Sequence, residues 1–174
     1  MELYTENIYL RPITEADTEM VLRWRNSEAV KQYFIYRQDI TPAEHLNWLE
    51  TKVKTGKVAQ FIIYMRENDM PIGSVYMQSI DPVHKNAEYG IFIGEHVALG
   101  KGCGTDAAKL AIRFAFEELG LHKLYLRVIS DNQRAIRSYE KAGFEIEGVL
   151  KDDIFVDGKF CDVTRMAIIR EETV

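Results

Sequence analysis

The 174-residue chain, 47% hydrophobic and 28% charged, suits one globular domain (residues 1–174) with a real core. Its net charge of −5 argues against a general nucleic-acid or anionic-membrane partner. No apolar run is long enough to span a bilayer and Met1-Glu2-Leu3 opens no leader signal, while Cys103 and Cys161 match no metal or redox spacing, so a reduced, cytoplasmic protein is expected.

Leu3 to Pro12 reads as a first strand, stopped by the proline. Thr14-Glu15-Ala16-Asp17 then opens a helix with Ala16, Met20, Val21 and Trp24 on one face. Thr41-Pro42-Ala43-Glu44 is a capping box with proline in the first helical position, followed by an apolar set of Leu46, Leu49 and Val53 and closed by Gly56. Gln60 to Met65 and Ile72 to Ser79 are strand-like and joined by a turn at Glu67-Asn68-Asp69, and Ala87 to Ile93 is the next strand.

After that strand comes Leu99-Gly100-Lys101-Gly102-Cys103-Gly104-Thr105, and then a helix with Ala107, Leu110, Ala111 and Phe114 on one face, stopping at Gly120. Glycines at alternate positions let backbone curl tightly and approach a ligand closely. A helix opening from such a loop presents free N–H groups and a positive dipole end, a site for phosphate. The spacing fits neither a Walker loop nor a dinucleotide fingerprint. Cys103 at that helix start reads as a small packed side chain, since no general base accompanies it in the sequence.

Lys123 to Ile129 is a further strand, and a short helix follows with Asp131 or Asn132 as N-cap and Gly143 as its stop. A strand to Val149 comes next, and Ile154 to Val156 and Phe160 to Ile169 flank Asp157-Gly158, a dipeptide suited to a type I′ hairpin. The order β-α-α-β-β-β-α-β-α-β-β describes one mixed α/β domain. His45, His84, His96 and His122 form no ligand cluster, so no metal site is expected.

The order strand, x-x-x-G-x-G, helix resembles the acetyl-CoA pyrophosphate loop of the GCN5-related N-acetyltransferases (the GNAT family), with Leu99 where the family carries Arg or Gln. The run Asn132-Gln133-Arg134-Ala135-Ile136-Arg137-Ser138-Tyr139-Glu140-Lys141-Ala142-Gly143-Phe144 is similar to that family's second cofactor segment. The resemblance extends over nearly the whole chain. It implies a mostly antiparallel mixed sheet splayed between its fourth and fifth strands, about four flanking helices, and acetyl-CoA as cosubstrate with no metal. It implies that Leu99, Gly100, Lys101, Gly102, Cys103, Gly104 and Thr105 bind the cofactor together with Asn132, and that Ile91, Phe92 and Ile93 pair with its pantetheine arm; Arg137, one turn from Lys141, is a further candidate to meet the nucleotide phosphates. Asn132 also reads as a plain helix cap, and Arg137 as a solvated charge.

Acetyl transfer to an amine needs a neutral nitrogen, donors for the developing oxyanion and a proton for the departing thiolate. Tyr139 stands at the family's general-acid position; a phenol of pKa ~10 can protonate a thiolate whose acid lies near ~8.5. Glu88 is the candidate base, acting directly or through water, on the strand face shared with Gly90 and Phe92 and opposite Tyr89, Ile91 and Ile93.

For the acceptor, Trp24, Arg25, Asn26, Tyr36 and Arg37 offer aromatic surfaces and guanidinium groups suited to a base or sugar and a diphosphate. The N-terminal half resembles amino-sugar-nucleotide N-acetyltransferases, which makes a nucleotide-linked amino sugar the leading expectation. The C-terminal half resembles spermidine and ribosomal-protein N-terminal acetyltransferases, and the acidic net charge favours cationic amines. A non-catalytic acyl-CoA-binding regulatory module is the third alternative, disfavoured by the presence of Tyr139 and Glu88. The expected partners are a small-molecule amine and a second copy of the chain in a homodimer, with neither nucleic acid nor membrane.

Overall fold

Capping and turn residues set most of the element boundaries. The structure, a computed structural model, describes residues 3–171. It forms β1 (Ile8–Pro12), α1 (Thr18–Arg25), the single-turn α2 (Glu28–Lys31), α3 (Pro42–Trp48), β2 (Ala59–Met65), β3 (Met70–Asp81), β4 (Asn86–Ile93), α4 (Cys103–Glu117), β5 (Lys123–Ile129), α5 (Gln133–Ala142), β6 (Glu145–Val156) and β7 (Lys159–Ile169). The Thr41 box forms as expected, the hydroxyl accepting from the Glu44 amide at 3.3 Å while the Glu44 carboxylate accepts from the Thr41 amide at 2.8 Å. Asp157 and Gly158 both have positive φ, 51° and 77°, as a type I′ turn requires.

The strands make one sheet in the order β1-β2-β3-β4-β5-β7-β6. All neighbours are antiparallel except β4 and β5, which run parallel and pair only at Asn86↔Lys123, Ala87↔Leu124 and Glu88↔Tyr125. From Tyr89 to Ile93, β4 keeps β3 on one side and, among the described residues, has no strand on the other. The expected splay is therefore present.

Two apolar layers cover the sheet. Against one face pack the small residues of α4 (Ala107, Ala108, Ala111, Ala115) with Ile136 of α5, over Val75, Tyr89, Leu124 and Leu126. Against the other, Val21 and Trp24 of α1 and Leu49 after α3 meet Ile62 and Phe92.

Three expectations need correction. The first strand is only Ile8–Pro12, because the Thr5 hydroxyl accepts from the Ile8 amide and the chain turns at Thr5 to Asn7, folding Tyr4 back beside Tyr9. Leu46 is exposed, and the inward stripe is His45, Trp48 and Leu49 instead. That helix then loosens into a π-helical turn over Leu49–Val53. The expected break after Val149 is a bulge within a continuous β6: Leu150 pairs with Val163 and Ile154 with Cys161, while Asp152 takes positive φ and the Asp162 carboxylate accepts from its amide at 3.0 Å.

His45 has a consequence for stability. Its ring is buried, Nδ1 lies 3.1 Å from the Thr18 hydroxyl, and Nε2 has no partner among the described residues. Burial holds the imidazole below its ordinary pKa of 6.5, against the opposing pull of Asp17. Below that pH the unfolded chain takes up a proton that the folded chain excludes, so stability falls as pH falls, by up to about 1.4 kcal/mol per pH unit for one proton. In urea unfolding between about pH 7 and about pH 5, the native protein should lose stability more steeply than His45→Gln. Equal slopes would remove His45 as the cause.

Candidate active site

The parting of β4 from β5 leaves backbone N–H and C=O groups along Tyr89–Ile93 facing an opening rather than a strand. Such groups need partners, and an extended ligand can supply them. The expected pantetheine stretch, Ile91 to Ile93, lies along this free edge.

Past Ile93 the chain crosses to α4 through a single 3-10 turn, His96–Ala98. Gly100 and Gly102 take φ of 79° and 81°, and a Cβ at either would meet nothing within 4 Å. Their role is thus conformational, and the space above them is open. Gly102 caps α4, and the first helical bond runs from the Asp106 amide to its carbonyl at 3.0 Å. The amides of Cys103, Gly104 and Thr105 precede that bond and are left to an outside acceptor. Gly104 differs from its neighbours: it lies inside α4, has no positive φ, and a Cβ there would be 3.7 Å from Ser138 Oγ of α5. The Thr105 and Ser138 hydroxyls bond at 3.1 Å, tying the two helices together beneath the loop. The Cys103 thiol is buried and burial pushes its pKa up, which makes it a packed side chain with a useful amide. Leu99 lies partly exposed at the loop's start. A depression of about 500 Å³ flanks Lys101 and Cys103 on the side of the β2–β3 turn, away from Tyr139 and Glu88.

Tyr139 projects from α5 into an aromatic group, edge-on to Tyr89 at 6.0 Å and to Phe144 at 6.1 Å between ring centroids. Burial pushes its pKa well above 10, so the phenol keeps its proton and can only donate one on demand. The Tyr89 hydroxyl beside it is buried with no partner among the described residues. An orphaned buried hydroxyl on the strand whose edge is free is a group that a bound acyl thioester can partner. The residues fit the cofactor.

On the opposite sheet face, Glu88 is held at the last β4–β5 rung. Its Oε1 accepts from Arg127 Nε at 2.9 Å, and Oε2 from Gln78 Nε2 at 3.3 Å. Asn132 caps α5, accepting from the Ala135 amide at 3.2 Å, as its plainer reading required. Arg137 is exposed on α5.

The expected acceptor residues are largely engaged elsewhere. Trp24 is 2% exposed, its indole donates to Glu95 Oε1 at 2.7 Å and its ring fills the place of a side chain at Gly94, so it is no stacking surface. Asn26 braces Ile40 through both amide atoms, at 2.9 Å and 2.8 Å. Arg25 is buried with Cζ 3.7 Å from the Phe34 centroid and donates to the Tyr36 carbonyl at 2.5 Å. Arg37 pairs with Asp157 at the hairpin tip, and only Tyr36 is fully presented to solvent.

Sequence reasoning missed Arg127, Gln78, Tyr89 and, above all, Tyr76, whose ring crosses β4 at Gly90. A glycine inside a strand pattern signals a close approach, and Gly90 was that signal.

Residues 7–145 match the Acetyltransferase (GNAT) domain family. Spermidine N(1)-acetyltransferase of Escherichia coli (strain K12) is 31% identical over 166 residues, covering 95% of this chain and 88% of that protein. A spermidine N-acetyltransferase from Vibrio cholerae, solved in complex with CoA and spermine, superposes with a TM-score of 0.88 at 27% identity over 95% of this chain and 96% of that one. A dodecameric structure of spermidine N-acetyltransferase from the same organism superposes at 0.80 with 26% identity, over 95% of each chain. With the splayed sheet and the glycine loop already in place, this chain belongs to the GNAT acetyltransferase family and is an acetyl-CoA-dependent N-acetyltransferase.

Proposed function

We propose that the acceptor is a polyamine of the spermidine class, acetylated on a primary amine. The similarity to spermidine acetyltransferases over nearly the full chain carries this reading, in preference to the amino-sugar nucleotide expected first. Two physical observations support the change. Trp24, Asn26 and Arg25 are committed to internal contacts, which leaves little to stack a base or clasp a diphosphate. The net charge of −5 and the carboxylate of Glu88 at the opening suit a cation. The dodecameric relative supports self-association of this chain, from a homodimer upward. Acetyl-CoA and polyamines are both cytoplasmic metabolites, and among the described residues no helix is long and apolar enough to cross a membrane.

Acetyl-CoA, when bound, supplies the activated acetyl thioester. The amides of Cys103, Gly104 and Thr105 with the Gly100–Gly102 turn hold phosphate, and the edge of β4 from Ile91 to Ile93 aligns the arm and offers an N–H to the oxyanion. Glu88, fixed by Arg127 and Gln78, takes up the amine proton through water. Tyr139 donates its proton to the leaving sulfur.

Three outcomes follow. At φ 81° a β-branched side chain is strained, so Gly102→Val should weaken CoA binding by at least about tenfold in calorimetry; unchanged affinity would move the phosphate site elsewhere. Tyr139→Phe keeps the edge-on rings and should lower kcat by roughly 10²-fold with little change in Tm, whereas near-normal turnover would return Tyr139 to packing. In a panel of spermidine, a nucleotide-linked amino sugar and a peptide N-terminus, release of free thiol should be fastest with spermidine and should slow as salt screens the amine. Preference for the sugar nucleotide would reinstate the first expectation.

A further inference from the structure

Tyr76 on β3 stands opposite Gly90 in the β3–β4 ladder. A Cβ built on Gly90 would fall 2.3 Å from Tyr76 Cζ and 2.5 Å from both Cε2 and the hydroxyl. The phenol therefore lies across β4 in the volume a side chain at position 90 would fill. Gly90 is the next position after Glu88 on that face, and Glu88 belongs to the last rung joining β4 to β5. The hydroxyl is thus carried to the place where the strands have parted, on the side away from Tyr139's helix.

The groups around it are already fixed. Glu88 is occupied by Arg127 and Gln78, and the buried Arg25 stacks on Phe34 with Nη1 unpartnered among the described residues. The Tyr76 hydroxyl takes part in none of these bonds. Burial, opposed by the Arg25 guanidinium and reinforced by the Glu88 carboxylate, pushes its pKa up to about 12, so it remains a neutral phenol able to accept through oxygen while donating its own proton.

A neutral primary amine has two N–H bonds and one lone pair, and the lone pair must point at the acyl carbon. Groups that hold such a nitrogen ready must therefore accept its N–H bonds; a donor would consume the lone pair. On this face of the opening, Glu88 and the oxygen of Tyr76 are acceptors, while Arg25 and Arg127 can only donate. We propose that Tyr76 is a substrate-contacting residue of the acceptor side, its phenolic oxygen accepting an N–H of the attacking primary amine so that the lone pair faces across the opening, with Gly90 bare to let the ring reach. This rests on the polyamine reading above, since it assigns an atom to that acceptor.

Tyr76→Phe preserves the ring over Gly90 and removes only the oxygen. For the amine, kcat/KM should fall by about 2- to 13-fold, the range expected for one hydrogen bond between neutral groups. The KM for acetyl-CoA and the Tm should stay at their native values, which a merely structural role would not allow. Gly90→Ala should displace the phenol and cause a similar loss although the oxygen remains in the chain, and combining the two should add little. Full amine turnover by Tyr76→Phe in an enzyme whose native form acetylates spermidine would overturn this assignment alone. A native enzyme inert toward every amine of the panel would overturn the polyamine reading and this assignment with it.

Discussion

Everything at the site depends on the short ladder between β4 and β5. The three rungs ending at Glu88↔Tyr125 hold two well-made half-sheets together, and beyond them each strand follows its other neighbour. β4 stays with β3 as far as Ile93, and β5 stays with β7 along its whole length, from Lys123↔Ile169 to Ile129↔Val163. Antiparallel pairing on the outer sides therefore stabilises the split rather than closing it. The gap that results has unpartnered peptide groups on its β4 side, a condition a buried backbone does not tolerate without a ligand or water.

The two faces of the split have different chemistry because different layers cover them. Under α4 and α5 the surroundings are aromatic and apolar, with Tyr89, Tyr139 and Phe144 in mutual contact. Desolvation there keeps phenols protonated, which is the state a proton donor needs. On the α1 and α3 side the positions leading from Phe92 back to the last β4–β5 rung are polar: Gln78 and Glu88, then Arg127 across the ladder. The proposed proton donor, Tyr139, and the proposed base, Glu88, are thereby placed on opposite faces of the split sheet.

The parts of this arrangement written in short stretches of chain were legible beforehand. The Thr41 box, the Asp157-Gly158 turn, the strand Lys123–Ile129 and the helix stop at Gly143 each depend on residues within a few positions of one another, and each formed as expected. The turn at Gly100–Gly102 and the helix opening from it were legible for the same reason, although only Gly100 and Gly102 need their glycines for φ, and Gly104 serves helix packing instead. What stayed hidden was set by register and packing at long range. Nothing near Trp24 reveals that Glu95 accepts from its indole, or near Arg25 that Phe34 lies under its guanidinium. Aromatic and cationic residues in a loop look alike whether they await a ligand or one another. Likewise the meeting of Tyr76 with Gly90 follows from the β3–β4 register, which no local pattern fixes.

The same long-range contacts explain why the acceptor side can be cationic in part and still suit an amine. Each guanidinium there is already directed: Arg127 to Glu88, Arg37 to Asp157, Arg165 to Glu147 with its Cζ 4.1 Å from the Tyr125 ring centroid, and Arg25 to the Tyr36 carbonyl and the Phe34 face. Arg127, Arg37 and Arg165 set little positive field against an approaching cation, since each is offset by a carboxylate within a few ångströms, well inside the ~8 Å Debye length, and the net charge of −5 still favours it. Their effect is geometric. Arg127 turns Glu88 from a mobile surface carboxylate into one held at the last rung, and Arg37 ties the segment before α3 to the tip of the β6–β7 hairpin, spanning 120 positions of sequence. On the proposal above, that oriented carboxylate and the Tyr76 phenol together favour a nitrogen that offers N–H bonds. Arg25 meets a carbonyl and an aromatic face rather than a carboxylate, with Nη1 unpartnered among the described residues, so of these four guanidiniums it is the one whose charge no ion pair offsets.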